Sequence, residues 1–152
     1  MPVVAVLEDV RSLYNVGSIF RTSDAVLLEK LILTGFTPHP PRKEIEKTAL
    51  GATRTIPWES NESTPEVLRR LRDEGWTICA IESTDASADL YSVSRIPTPL
   101  VLVFGNEITG ISQETLSLCH HAWEIPMFGT KHSLNVSVAF GVVVYEVCRR
   151  LR

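Results

Sequence analysis

A chain of 152 residues, 44% apolar and 22% charged, can close one hydrophobic core without disulfides or a structural metal. Cys79, Cys119 and Cys148 are odd in number, widely spaced and in no C-x-x-C pair, which excludes a disulfide framework and reads as reduced thiols in a cytoplasmic protein. A formal net charge of −3 excludes a globally basic nucleic-acid binder, the start MPVVAVLEDV lacks a signal peptide's basic flank, and Gly141 and Glu146 interrupt the best candidate membrane span.

The β-branched run over residues 3–7 predicts a strand buried on both faces. A polar loop over 8–18 and a helix over about 19–28 follow. Residues 31–34 predict a second strand, ended by Gly35 and the turn-rich stretch 37–41. Thr64 caps a helix with Pro65 at its first position, and Gly75 closes it. Strands are expected over 76–81, 99–104 and 122–125, with a helix opened by Ser112 before the last of them. Residues 135–150 are valine-rich, which favours a strand by propensity; their length and the cap offered by Ser133 or Asn135 favour a helix instead. That helix is apolar on every face, so it is expected to be buried on every face, in part by a second copy of the chain. Alternating strands and helices make the fold class α/β, a mostly parallel sheet with helices on both faces, formed by a single domain over residues 1–152 with no separate extension expected.

Three loops at strand ends concentrate polar residues and glycine: Asn15-Val16-Gly17-Ser18-Ile19-Phe20-Arg21, Phe104-Gly105-Asn106-Glu107-Ile108-Thr109-Gly110, and residues 125–135 with Ser133-Leu134-Asn135. Ligands of open α/β sheets bind at the carboxyl ends of strands, where these loops fall. Each loop taken singly is an ordinary turn with its cap. His120, His121 and His132 have no cysteine at metal-ligand spacing, so no metal site is expected. There is no G-x-S-x-G elbow, and Gly105 to Gly110 lacks G-x-G-x-x-G spacing.

Order and spacing of these stretches resemble the SpoU (TrmH) family of RNA ribose 2′-O-methyltransferases, in the SPOUT superfamily. The resemblance rests on Asn15-x-Gly17-x-Ile19-x-Arg21-Thr22, on Val103-Phe104-Gly105-Asn106-Glu107 with Gly110, on Ile125-Pro126-Met127 followed by Ser133-Leu134-Asn135-Val136-Ser137-Val138-Ala139, and on Leu33-Thr34-Gly35 with Lys47-Thr48-Ala49-Leu50-Gly51-Ala52. It implies a C-terminal trefoil knot, S-adenosylmethionine as methyl donor, tRNA or rRNA as substrate, and a homodimer with the active site near its interface. It also implies catalytic roles for Arg21, Asn15, Glu107, Ser133 and Asn135, and cofactor contacts from Gly105, Ile125, Leu134, Met127, Glu82 and Gly35. Free backbone groups beside Ile125 and Met127 suit an adenine edge, and Gly105 would admit a ligand close to the backbone. The family's usual account makes the first-motif arginine, here Arg21, a proton acceptor. A guanidinium pKa above about 12 fits better a fixed fork that grips phosphate or a developing alkoxide.

Where the family usually carries an aromatic residue and a glycine after Asp24-Ala25, this chain has Val26-Leu27-Leu28. Local basic groups near the first loops are Arg11, Arg42, Lys43, Lys47 and Arg54. A non-catalytic RNA-binding protein of the same fold and a methyltransferase for a non-RNA substrate are the alternative readings.

Overall fold

Strand β1 (Val3–Glu8) is buried along its whole length, as a β-branched segment covered on both faces must be. The computed structural model describes all 152 residues, and the other elements follow in order. They are α1 (Leu13–Ala25), β2 (Lys30–Thr34), α2 (Lys43–Ala49), β3 (Trp58–Asn61), α3 (Thr64–Asp73), β4 (Thr77–Ile81), β5 (Ala88–Asp89), β6 (Leu100–Phe104), α4 (Gln113–Ser117), β7 (His121–Glu124) and α5 (Val136–Leu151). One seven-stranded sheet runs in the order β3-β2-β1-β6-β4-β7-β5, and every pairing in it is parallel.

Alternation along the strands divides the apolar residues between two layers. Ala5 and Leu7 of β1, Leu31 and Leu33 of β2, and Leu102 and Phe104 of β6 face a core shared with Ile19 and Phe20 of α1 and Phe140 and Val143 of α5. Val4, Val6, Ile32, Val101 and Val103 face the opposite side, where Val67, Leu68 and Leu71 of α3 cover them. The Phe104 and Phe140 rings lie 5.0 Å apart between centroids, tilted by 49°.

Helix α1 begins at Leu13, not near residue 19, and Ser12 caps it by accepting the Asn15 N–H at 3.2 Å. Gly17, which looked like part of a loop, sits inside this helix because α2 presses against it. A Cβ there would stand 2.0 Å from Thr48 Oγ1 and 2.2 Å from the Ile45 carbonyl oxygen. The helix stops at Ala25, earlier than expected, and Leu27 beyond it takes the left-handed conformation at φ 54. At α3 the cap is Ser63, which accepts the Glu66 N–H; the hydroxyl of Thr64 pairs instead with Thr34 Oγ1 at 2.7 Å, buried between β2 and α3. Pro65 therefore takes the second helical position. Helix α2 and strands β3 and β5 were not anticipated.

Residues 136–151 are helical, with Asn135 as the cap. Burial is one-sided within the chain: Phe140, Val143, Val144 and Val147 are enclosed, while Val138 is 51% and Tyr145 55% exposed. The apolar circumference predicted burial by the chain's own sheet on one side and by a second copy on the other, and within the chain the sheet covers one face.

Candidate active site

Because all seven strands are parallel, the loops that follow β1, β2, β4, β6 and β7 emerge at one edge of the sheet. Two side chains in the loop after β6 fasten it to the loop after β1. Glu107 accepts the Arg11 N–H on Oε1 and the Ser12 N–H on Oε2, both at 3.0 Å. Asn106 donates from Nδ2 to the Asp9 carbonyl at 2.7 Å, while its Oδ1 accepts the amides of Ile108 and Thr109. Partial withdrawal from water raises the Glu107 pKa. The amides of Arg11 and Ser12 and the side chain of Asn15 outweigh that effect and hold the carboxyl below its ordinary value. Glu107 thus anchors the loop and the start of α1, and it makes no hydrogen bond or ion pair with Arg21.

Asn15 and Arg21 share α1 but not a face. Six residues at 3.6 per turn set them roughly 120° apart around the axis. Asn15 is half-buried beside Glu107. Arg21 is exposed, has no carboxylate within ion-pairing distance, and opens into a cavity of about 510 Å³ with Ser18, Thr22, Lys47, Thr48 and Tyr145. None of Gly105, Ile125, Met127 or Leu134 lines that cavity.

Gly105 does not leave open space for a ligand at its α-carbon. A Cβ there would meet the Gly110 carbonyl carbon and the Ile111 amide nitrogen at 2.5 Å, so the loop's own return fills the position. Glu82, at the end of β4, accepts the Ile111 N–H at 2.8 Å and braces the same return. Gly35, after β2, packs against the Asp9 carboxylate, which accepts the neighbouring Phe36 N–H at 3.0 Å. Both Glu82 and Gly35 were expected to touch cofactor; within the chain each supports a loop.

The third stretch is built differently. No backbone hydrogen bond runs to or from residues 126–134, and no side chain among them makes one. Ile125 and Met127 are half-buried, Ser133 is exposed, and Leu134 is 37% exposed. Asn135 closes the stretch: its Oδ1 accepts the N–H of Ser137 at 2.9 Å and the Ser137 hydroxyl at 2.7 Å, leaving its side-chain NH₂ without a protein partner. Apolar side chains beside unengaged amides and carbonyls fit the adenosine of a nucleoside cofactor, for which a loop with all its hydrogen bonds made internally would be useless.

Sequence reasoning placed Glu8 in a polar loop. It is the 5%-exposed last residue of β1, and its carboxylate accepts the Ser112 N–H at 2.8 Å and the Thr115 hydroxyl. It thereby fixes α4 behind the loop after β6. A carboxylate ending an otherwise apolar strand was the available signal. Lys47 and Tyr145 were also not assigned to a site.

The profile of the SpoU rRNA Methylase family matches residues 2–145. The chain is 32% identical over 149 residues to the 23S rRNA (guanosine-2′-O-)-methyltransferase RlmB of Neisseria meningitidis serogroup B, covering 98% of this chain and 59% of that protein. The AdoMet-bound rRNA methyltransferase from Sinorhizobium meliloti superposes with a TM-score of 0.92 at 30% identity, over 99% of this chain and 57% of that one. A structure described as giving insight into 2-OH methylation of C/U34 on tRNA has a TM-score of 0.87 at 28% identity, over 99% of this chain and 98% of that one. The chain spans about three fifths of the length of the curated relatives it matches.

Proposed function

The chain belongs to the SpoU rRNA Methylase family, and from that membership we propose that it transfers the methyl group of S-adenosylmethionine to a ribose 2′-hydroxyl of tRNA or rRNA. The observation that carries the reading is the junction made by Glu107, which joins the start of α1, the helix holding Asn15, to the loop holding Gly105 at the carboxyl edge of a parallel sheet. The match over 99% of this chain to a structure described as giving insight into 2-OH methylation of C/U34 on tRNA supports an RNA hydroxyl as the acceptor.

The methyl donor supplies an electrophilic carbon on a sulfonium; everything else is the protein's to arrange. Ile125, Met127 and Leu134 would give apolar contact for its adenosine, and the free backbone of residues 126–134 would offer hydrogen bonds to the base edge. The loop after β6, held by Glu82 and Glu107, forms the opposing wall. Ser133 and the unengaged NH₂ of Asn135 orient the ribose. Arg21 would hold charge fixed near the reacting hydroxyl, stabilising the oxygen as its proton passes to solvent water and the sulfonium departs as a neutral thioether, and positioning would supply much of the acceleration.

A second copy of the chain completes this arrangement in our reading. Tyr145 and Val138 expose the apolar side of α5, Leu50 is 65% exposed, and Tyr145 and Leu50 line the cavity into which Arg21 opens. That cavity contains no residue of the cofactor loops, so a homodimer is what would bring Arg21 to a methyl donor. The trefoil knot of the family belongs to the same proposal, as does a cytoplasmic location; no helix is long and apolar enough to cross a membrane.

The test is transfer of tritiated methyl from S-adenosylmethionine to total RNA, followed by nucleoside digestion. Label in 2′-O-methylated nucleosides supports the reading. Label in bases, or none while the donor binds, refutes it.

A further inference from the structure

The cavity beside Arg21 has an uncommon electrostatic composition for a chain of net charge −3. Its walls carry two cations, Arg21 from α1 and Lys47 from α2, four hydroxyls, and no carboxylate. The acids nearest in sequence are engaged elsewhere. Glu46 accepts the Thr53 hydroxyl, Glu44 faces Arg42 at 3.9 Å, Asp24 accepts the Thr55 hydroxyl at 2.7 Å, and Glu146 holds Arg149. Neither Arg21 nor Lys47 has an ion-pair partner. Of the hydroxyls, Thr48 donates to the Tyr14 carbonyl at 2.9 Å, which leaves Ser18, Thr22 and Tyr145 without protein partners.

The helix positions that carry the two cations are set by packing. Gly17 brings α1 against Thr48 of α2 at a distance no side chain would permit. Arg21 lies four residues beyond Gly17, on the same face of α1, and Lys47 precedes Thr48. Two unneutralised cations with the free hydroxyls of Ser18 and Thr22 on the same helix pair, and that of Tyr145 from α5, are complementary to a tetrahedral anion with charge on its oxygens. Arginine supplies a fork and lysine a point charge, the usual division of labour on phosphate.

We propose that Lys47 is a positioning residue which, across the α1–α2 cavity from Arg21, grips a phosphodiester of the RNA adjoining the ribose to be methylated. This rests on RNA being the substrate, and it adds a residue that fixes where the strand lies. Gripping the backbone at this point sets the ribose relative to Arg21 without reading a base.

Lys47 is exposed and its side chain makes no hydrogen bond or ion pair within the fold, so Lys47→Gln and Lys47→Arg are expected to fold as wild type. End-labelled bulk tRNA and rRNA are titrated with each protein by filter binding from low to physiological salt. The affinity of Lys47→Gln for RNA should fall about three- to tenfold at low salt, and the slope of log affinity against log salt should diminish by about one. Lys47→Arg should restore both, and calorimetric affinity for S-adenosylmethionine should not move. In methyl transfer, KM for RNA should rise with kcat unchanged. Wild type that binds and methylates RNA, with Lys47→Gln indistinguishable from it, overturns the Lys47 assignment alone. A fall in kcat at constant KM would place Lys47 in the chemistry and overturn the positioning role. Wild type without RNA affinity would remove the parent reading and this one together.

Discussion

The carboxylate of Glu107 and the amide of Ser12, 95 positions apart in sequence, are joined by a hydrogen bond of 3.0 Å. The loop after β6 therefore holds the N-terminus of the helix that carries both Asn15 and Arg21. Glu107→Gln should lower single-turnover methyl transfer at least tenfold while changing affinity for the methyl donor little, because it loosens positioning and removes no cofactor contact. Equal activity in the two proteins would show that the junction is dispensable.

The same carboxylate gives stability a defined pH dependence. Its folded pKa lies below the ordinary value, so its stabilising contribution is complete above the ordinary carboxylate range and is lost as pH falls through the folded value. Thermal unfolding followed from pH 7 to about pH 3 should show wild type more stable than Glu107→Gln at neutral pH, with the two curves converging in acid. A constant difference across that range would assign the effect to something other than ionisation.

Leu27 holds φ 54 at a position 62% exposed to solvent. A β-carbon in that conformation costs about 1–2 kcal/mol, against which glycine's greater freedom in the unfolded chain offsets up to about 1. Leu27→Gly should consequently stabilise the protein by about 0.5–1 kcal/mol, measured by urea unfolding. Destabilisation would mean that the exposed side chain is covered, as by a partner chain.

Gly105→Val and Met127→Ala separate folding from binding in the cofactor loops. Valine at 105 must displace backbone at Gly110 and Ile111, so it should lower Tm as well as abolish binding of S-adenosylmethionine. Alanine at 127 should weaken binding and leave Tm unchanged. Calorimetry and thermal melts on the two variants decide this, and full affinity in both would move the site elsewhere.

Replacing Tyr145 by arginine places a charge on the uncovered side of α5. Light scattering at micromolar concentration should give a dimer for wild type and a monomer for Tyr145→Arg, with methyl transfer lost and the monomer still folded. A monomeric wild type would dispose of the dimer.

Arg21→Lys and Arg21→Ala address the chemistry directly. A fixed fork predicts that both fail, since an ammonium cannot reproduce two parallel hydrogen bonds. A proton acceptor predicts that lysine recovers as pH rises toward about 10 while alanine stays inactive. Single-turnover rates across pH distinguish them.

What could be read from residues alone was whatever local pattern decides. The strands over Val3–Glu8 and Leu100–Phe104 are continuous apolar runs, and α5 was recoverable from its length and its cap despite six valines. The start of α1 was missed because Gly17 reads as a breaker until α2 is known to lie against it. Helix α2 itself buries only Ile45 and Ala49, too few to print an apolar stripe. For the site, motif order gave the residues but not their grouping. Nothing in the spacing of Asn15 and Arg21 announces that one faces Glu107 and the other a separate cationic cavity.

The unbonded backbone of residues 126–134 carries a thermodynamic consequence. Amides with no intramolecular acceptor are not shielded by the cooperative unfolding that protects β1 or α5, so their deuterium uptake should be complete within the earliest sampling times. A ligand that engages those amides would convert them to slowly exchanging groups, and the ordering it imposes would appear as an unfavourable entropy beside a favourable enthalpy. Affinity at this loop would then respond to temperature and to backbone stiffness at Gly129 and Thr130 as much as to the side chains that touch the ligand.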